Sequence, residues 1–423
     1  MAASVTGSAP LSLVARAARV MIRCDALAAF TEEPGRITRP YGSPAALAAR
    51  QALARWMNDA GMETRIDAVG DLCGRLAGSD PDAPALLLGS HFDSVRDAGR
   101  YDGLLGILVA IEAIERVRET RGQAPFPIDV LAFADEEGLR FQTTYLGSCA
   151  LAGTFDPAFL DLVDTDGITL REAMTAFGGD PTGLAATALK TADAFAYVEV
   201  HIEQGPFLES VAAPVGVVTA ISGQTRILAS VSGEAGHAGT VAMHLRRDPL
   251  PAAAEVVLAA EALACRTDGL LATAGTIAAE PGASNVIPGR VRFSLDVRHP
   301  DDRVRAHAVT TLHRRAAEIA AARRLDLDWQ IARDHPAVPC DASLASRLAN
   351  AVAGAGYRVE RLPSGAGHDA VTMSAVVPVA MLFVRCAGGV SHHPDEAVTT
   401  EDVAVAIDVL DRFLASLADE GKP

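Results

Sequence analysis

Residues 85–103 read ALLLGSHFDSVRDAGRYDG. The apolar run Ala85–Leu88 is bounded by Pro84 and Gly89, and a run so short and so bounded reads as a buried strand. At its carboxyl end stand His91 and Asp93; a polar loop then leads to Asp102 and to an apolar run that starts at Leu104. The carboxyl edge of an open α/β sheet is where such folds gather their ligand chemistry. An imidazole and carboxylates at that edge suit a divalent metal. The spacing His91-x-Asp93 also allows the carboxylate to hold the imidazole instead. Taken alone, the stretch reads equally well as a polar loop whose His and Asp cap the next helix.

Working outward, the same strand-then-polar-loop pattern recurs. Pro127–Ala134 (PIDVLAFA) reads as a buried strand ending in Asp135-Glu136-Glu137-Gly138, and Ala194–Val200 as another ending in His201-Ile202-Glu203-Gln204-Gly205-Pro206. Helical patterns lie at 13–27, 46–57 and 104–118, and 64–76 alternates enough for a strand pair. Strands alternating with helices predict a three-layer α/β domain. The texture changes near Pro214. A β-rich stretch (215–232), a helix (248–264), a strand (283–297), a helix (304–323) and a strand (325–332) give the order of a compact α+β sandwich. In the strand 283–297, Val291, Phe293, Leu295 and Val297 share one face, and Arg292, Ser294, Asp296 and Arg298 the other. Beyond Pro336 the first texture returns, with a helix at 343–355, a strand at 377–384 and a helix at 400–417. The sequence therefore divides into 1–213 and 332–423, forming one domain, with 214–331 inserted in it, a size normal for a small domain.

Composition bounds the function. A chain of 423 residues, 49% of them hydrophobic, buries a large core. The net charge of −16 disfavours nucleic acid and anionic membrane as partners. The six cysteines are scattered without a CxxC pair, which points to free thiols in a reducing cytoplasm and not to a disulfide framework or a thiolate zinc site. No apolar run reaches transmembrane length, and the N-terminus lacks the basic-then-apolar pattern of a secretion signal. The expectation is a cytoplasmic protein.

The metal-competent groups now form a set: His91, Asp102, Glu136-Glu137, His201 and His392, each in a polar segment that follows an apolar strand pattern, with Gly close by. One such group is more often structural than a ligand; several converging on one sheet edge are hard to explain that way. In Glu136-Glu137, adjacent side chains at a strand end point apart, so one carboxylate can bind metal while the other faces a substrate as a base.

The segments GSHFDSV (89–95), GRYDGLLGI (99–107), ADEEGLRF (134–141), HIEQGP (201–206) and GGVSHHPDE (388–396) resemble the dinuclear-metal amidohydrolases of the carboxypeptidase and aminoacylase type. They match the branch of N-carbamoyl-L-amino acid hydrolases, β-ureidopropionases and allantoate amidohydrolases, in order and over nearly the whole chain. GQTR (223–226), GHAGTVAM (236–243), RRDP (246–249), SGAGHDA (364–370) and MLFVRC (381–386) look closest to the allantoate amidohydrolases. Departures are slight: Ala242 stands where Pro is usual, and Asp71 where Asn is usual.

The resemblance implies a metallo-exopeptidase-like catalytic domain with the insertion as a dimerisation and lid domain, hence a homodimer. It implies two divalent ions, zinc or manganese, with His91 and His201 on one, Glu137 and His392 on the other, and Asp102 bridging. Glu136 is then the general base and acid, and Asp93 the carboxylate that orients His91. Two ions sharing a carboxylate polarise a carbonyl and acidify a water. Arg298 and Asn285 are expected to hold the substrate's carboxylate, Gln204 with Gly367 and His368 its ureido end, and His237 the developing oxyanion. Without the resemblance, Arg298 reads as an exposed ion pair and His237 as a turn histidine satisfied by backbone. His393 neighbours a ligand, but neighbours on an extended segment point apart. The implied reaction is hydrolysis of one ureido group of allantoate, giving ammonia, carbon dioxide and ureidoglycine. The rival readings are an N-carbamoyl-amino acid hydrolase or β-ureidopropionase, a peptidase or aminoacylase on the same metals, and a metal-free binding protein that keeps the fold. Every ligand position and the base are filled, which disfavours the last.

Overall fold

The computed structural model describes residues 11–419; residues 1–10, on which the reading of a leader-free N-terminus rests, lie outside them. The chain divides into two compact units. The first runs to Thr219 and takes up Cys340–Leu362 and the chain from His368; the second comprises Ala220–Pro339 and Pro363–Gly367. These bounds fall later than the texture changes at 214 and 331 suggest. The strand entered at Val215 continues unbroken to Ile221, and the last strand of the second unit runs on to His335.

The first unit is built on a mixed sheet. Its main strands are β1 (Glu63–Ile66), β2 (Leu72–Leu76), β3 (Ala85–His91), β4 (Ile128–Phe133), β5 (Ala194–Ile202), β6 (Val215–Ile221) and β7 (Val379–Val384), and the short Val338–Pro339 and Arg361–Ser364 pair with β6. The main strands lie in the order β1-β2-β4-β3-β5-β7-β6, with β4, β3, β5 and β7 parallel and the outer strands antiparallel. β3, β4 and β7 are buried along their whole length, which is why they read as continuous apolar runs and not as alternating ones. The two faces nevertheless differ. Leu86, Leu88, Val130, Ala132, Val198, Val200 and Leu382 join one apolar core with the helices Leu13–Ala28, Leu104–Arg121, Ala342–Gly354 and Thr400–Asp419. On the opposite face lie Asp129, Glu199, His91 and His201; from that side the short helix Ala370–Met373 packs on β5 and β7, and the helix Leu146–Leu151 packs against it. The result is the expected three-layer α/β architecture.

The helix Leu104–Arg121 is buried along most of its length and ends three residues past the expected Arg118, capped by Gly122. Its first turn is governed by glycine. Gly103 has φ +66°, and a Cβ there would fall 2.4 Å from the His91 carbonyl oxygen. Gly106 lets the helix touch β5, since a Cβ would lie 1.9 Å from the Val200 carbonyl oxygen.

The second unit is an α+β sandwich. Strands Ile277–Glu280, Arg290–His299, Gly223–Ser232 and Asp326–His335 pair antiparallel in that order, and Leu271–Thr273 pairs with Arg290–His299. Ile227, Ala229, Val231, Val291, Phe293, Leu295 and Val297 form its core with the helices Pro249–Ala264 and Asp302–Ala322. Asp248 caps the first of these helices and Pro249 opens it, a pre-organised start. The strand expected over 283–297 begins only at Arg290; ahead of it, Val286–Ile287 pairs separately with Gly236–His237. No helix among the described residues is long and apolar enough to cross a membrane.

Candidate metal centre

Parallel pairing places the ends of β3 and β5 side by side, so His91 and His201 project from the same edge with ring centroids 5.7 Å apart. Asp102, delivered by the loop after β3, meets both. Its Oδ1 lies 3.5 Å from His91 Nε2 and 3.1 Å from His201 Nε2, and the two Nε2 atoms are 3.5 Å apart. Its other oxygen, Oδ2, lies 3.2 Å from His392 Nε2, which is in turn 3.2 Å from Glu137 Oε1. One carboxylate therefore faces two separate donor sets. Four ligands at about 2.0–2.2 Å from a tetrahedral ion lie about 3.3–3.6 Å from one another. The observed separations, 3.1–3.5 Å, lie within about 0.2 Å of that spacing, and Asp102 Oδ1 is buried with no hydrogen bond of its own. Two nitrogens aimed at one another and at an orphaned carboxylate oxygen suit a shared cation. The donor set, imidazole with carboxylate, suits zinc or manganese.

Two of the histidines are oriented from behind. Asp93 Oδ1 lies 3.3 Å from His91 Nδ1, turning Nε2 of that ring toward Asp102. The same carboxylate accepts the backbone N–H groups of Glu136 (3.0 Å) and Glu137 (3.1 Å). Asp93 thus ties the two acidic side chains to the histidine they face. The ring of His201 donates from Nδ1 to the Ile202 carbonyl at 2.9 Å, which leaves Nε2 for the centre.

The electrostatics agree. Burial pushes the Asp102 carboxyl up, but the close rings of His201, His392 and His91 overcome it and hold the group well below the usual range. Hydrogen bonds to Asp102 and Glu137 push His392 up to about 10. Burial opposes protonation of His91, yet Asp102 and Asp93 raise it well above the ordinary imidazole value. Such a field attracts cations. Glu136, grouped with His91 and Glu137, is held well above the usual carboxylate range by burial and by Glu137, against the lowering effect of His91.

The remaining expected residues are distributed over both units. Gln204, in the first unit and with φ +58°, donates to Asp102 Oδ2 (3.0 Å) and Ser391 Oγ (3.2 Å), directly beside His392. His368 is 1% exposed and stacks edge-on against His201, with ring centroids 4.6 Å apart. Gly367 falls at the end of the second unit's returning segment. His237 and Asn285 meet within the second unit: Val286 pairs with His237, and Ala238 N donates to the Asn285 carbonyl at 3.0 Å. The exposed His237 ring accepts the Gly239 N–H at Nδ1 (3.1 Å). Arg298 is 29% exposed and bound on its inner edge, with Nε 2.7 Å from Asp296 Oδ1 and Nη1 2.6 Å from the Gly365 carbonyl. Gln224 and Arg226 also donate to Asp296, so the GQTR segment and Arg298 form one polar cluster; Thr225 points to the opposite face and bonds Asp334. His393 lies exposed, 3.6 Å from Asp395.

Several groups at the site were not singled out from sequence. Glu199 lies two residues before His201 on the same strand face, accepts the hydroxyls of Ser90 and Tyr197, and lies close to His201 and His368. Its period-2 spacing from His201 was the available signal. Ser391, Glu396 and Asp296 join the network through loops and strand pairings that sequence spacing does not reveal.

The sequence pattern of peptidase family M20/M25/M40 matches residues 87–416. The chain is 42% identical over 419 residues to a probable allantoate deiminase of Oryza sativa subsp. japonica, covering 91% of this chain and 85% of that one. It is 41% identical over 384 residues to an N-carbamoyl-L-amino acid amidohydrolase of Geobacillus stearothermophilus, covering 91% and 94%. Among solved structures, a hydantoinase/carbamoylase family amidase from Burkholderia multivorans superposes with a TM-score of 0.90 at 32% identity, covering 95% of this chain and 98% of that one.

Proposed function

Since the chain belongs to peptidase family M20/M25/M40, we propose that it is a dinuclear-metal amidohydrolase that cleaves a ureido C–N bond of allantoate. Water adds to one ureido group, and ammonia, carbon dioxide and ureidoglycine result. The observation that carries this reading is Asp102, with one oxygen facing His91 and His201 and the other facing His392 beside Glu137. In this reading His91, His201 and Asp102 hold one ion, and Asp102, Glu137 and His392 the other, zinc or manganese. Bound divalent ions supply Lewis-acid polarisation of the ureido carbonyl and acidify water.

Glu136 takes the proton of the attacking water and delivers it to the leaving nitrogen. Its elevated proton affinity, a consequence of burial, suits both halves of that duty. Asp93 keeps His91 and the Glu136-Glu137 backbone in fixed relation. Ureas resist attack because nitrogen lone pairs stabilise the ground state, so a protonated leaving group matters as much as the attacking water.

For the substrate's carboxylate we assign Arg298 and Asn285, for the ureido end Gln204 with Gly367 and His368, and for the oxyanion His237. Arg298 donates from Nε and Nη2 to Asp296 and from Nη1 to the Gly365 carbonyl, so a substrate carboxylate would take the remaining hydrogens of Nη1 and Nη2. The second unit is read as a lid and dimerisation domain inserted in the catalytic one, in a cytoplasmic homodimer.

Allantoate differs from an N-carbamoyl amino acid in carrying a second ureido group, whose buried donors cost roughly 1–3 kcal/mol each if left unpaired. The polar cluster of Gln224, Arg226, Asp296 and Arg298 offers such partners. The Geobacillus relative, at nearly the same identity, favours N-carbamoyl-L-amino acids as the second reading. Ammonia release from allantoate, N-carbamoyl-L-methionine and N-carbamoyl-β-alanine, each with zinc and with manganese, decides. We expect the highest kcat/KM for allantoate; a higher value for either carbamoyl compound overturns the substrate and leaves the metal chemistry standing.

A further inference from the structure

The loop that supplies His392 also carries Glu396, a carboxylate with no part in the chemistry above. It is 3% exposed. Its Oε1 accepts the backbone N–H of Tyr101 at 2.8 Å and that of Asp102 at 3.1 Å. Ser391 Oγ lies within hydrogen-bond distance of both Glu396 Oε2 (3.2 Å) and Asp102 Oδ2 (3.0 Å). Glu396 therefore holds Asp102 directly at its main chain, and its carboxylate shares with that of Asp102 the single hydroxyl hydrogen of Ser391. No oxygen of Glu396 belongs to any group of ligand atoms gathered at the centre among the described residues.

The placement matters because Asp102 and His392 sit on two irregular loops, one after β3 and one after β7, and His392 adopts a left-handed backbone with φ +55°. Among the described residues, the first of these loops is tied to the sheet's surroundings only at single points such as the Ile37–Ala98 bridge, four residues before Asp102. A carboxylate that must face two donor sets at once needs both its main chain and its rotamer held. Space is reserved for the clamp: a Cβ at Gly99 would fall 2.3 Å from both Cδ and Oε1 of Glu396.

We propose that Glu396 is the positioning residue for the bridging carboxylate, so that metal affinity depends on a side chain that touches no ion. The proposal rests on the metal-centre reading. Outer partners of ligands commonly govern affinity by about 10–100-fold. A purely structural Glu396 would alter thermal stability and leave the affinity of the folded protein alone.

The test compares the native chain with E396A, E396Q and G99A, each stripped and reloaded with cobalt(II). The readouts are bound metal per chain, dissociation constants by chelator competition, the cobalt absorption spectrum and the thermal midpoint. E396A should bind at least one ion about 10–100-fold more weakly, with an altered spectrum. G99A, which displaces the carboxylate without removing it, should do the same. E396Q should return close to native, because its amide oxygen accepts both N–H groups and its nitrogen donates to Ser391. Native affinity and spectrum in folded E396A overturn the proposal whatever the midpoint; if E396A does not fold, native affinity in G99A overturns it. A native chain that binds no divalent ion instead overturns the metal-centre reading itself.

Discussion

Glu136 and Asp71 are both buried carboxyls held well above the usual range, with burial the main cause in each. Glu136 faces the centre, and its proton affinity has a use. Replacing it with Gln keeps shape and metal but removes proton transfer, so kcat should fall by about 10²–10⁴-fold while metal content stays native. Near-native kcat in that variant would exclude Glu136 as the base. Asp71 has no such use. One oxygen accepts the Ala134 N–H at 2.8 Å, and the other is buried without a partner against Gly147. Because the folded state favours the protonated form, this group's contribution to stability is complete below the ordinary carboxylate range. It is lost as pH rises through the elevated folded value. Asp71→Asn should therefore leave stability nearly unchanged near pH 4 and raise it by roughly 1–3 kcal/mol at pH 8. Denaturant midpoints that show no gain at pH 8, or the same gain at both, would refute the assignment.

Among the elements, the decisive contact is between the helix Leu104–Arg121 and β5. Gly106 brings that helix against the Val200 carbonyl, one residue before His201. Because the approach is backbone to backbone, no rotamer can relieve a Cβ placed there. Gly106→Ala should cost about 1–3 kcal/mol or more in unfolding free energy, with retention of metal lowered through the displaced end of β5. An unchanged unfolding midpoint would mean the helix can shift without cost. Strand ends matter for the same reason. His91 and His201 are adjacent because β3 and β5 are parallel neighbours, although more than a hundred residues of sequence separate them.

For the whole molecule, metal dependence and assembly are the open tests. Prolonged chelation should abolish turnover, and zinc or manganese should restore it; full activity in protein shown to be metal-free would end the dinuclear reading. If the second unit forms the dimer and His237 serves the partner's site, mixing His237→Ala with Glu136→Gln subunits yields sites with both groups intact. Recovered activity is then expected on subunit exchange. Its absence, with exchange confirmed, would place His237 in the site of its own chain.

Much of this was legible in residue order. Buried apolar runs ending in His, Asp or Glu, followed by Gly, mark the strand ends of an α/β sheet, because that edge is where backbone geometry releases side chains into solvent-filled space. The alternation of Val291, Phe293, Leu295 and Val297 against Arg292, Ser294, Asp296 and Arg298 likewise gave both faces of one strand. Three things waited for the tertiary structure. The strand expected from residue 283 begins only at Arg290, since Val286–Ile287 pairs separately with Gly236–His237 ahead of it. Asp93 proved to hold the Glu136 and Glu137 backbone as well as His91, a convergence of two loops that spacing cannot encode. Arg298, Gln224 and Arg226 came together on Asp296 only because two strands pair in the register that sets Arg298 opposite Gln224. Local pattern determines which residues reach an edge or a face; which of them then meet is decided by strand order and register, fixed by burial of the whole core.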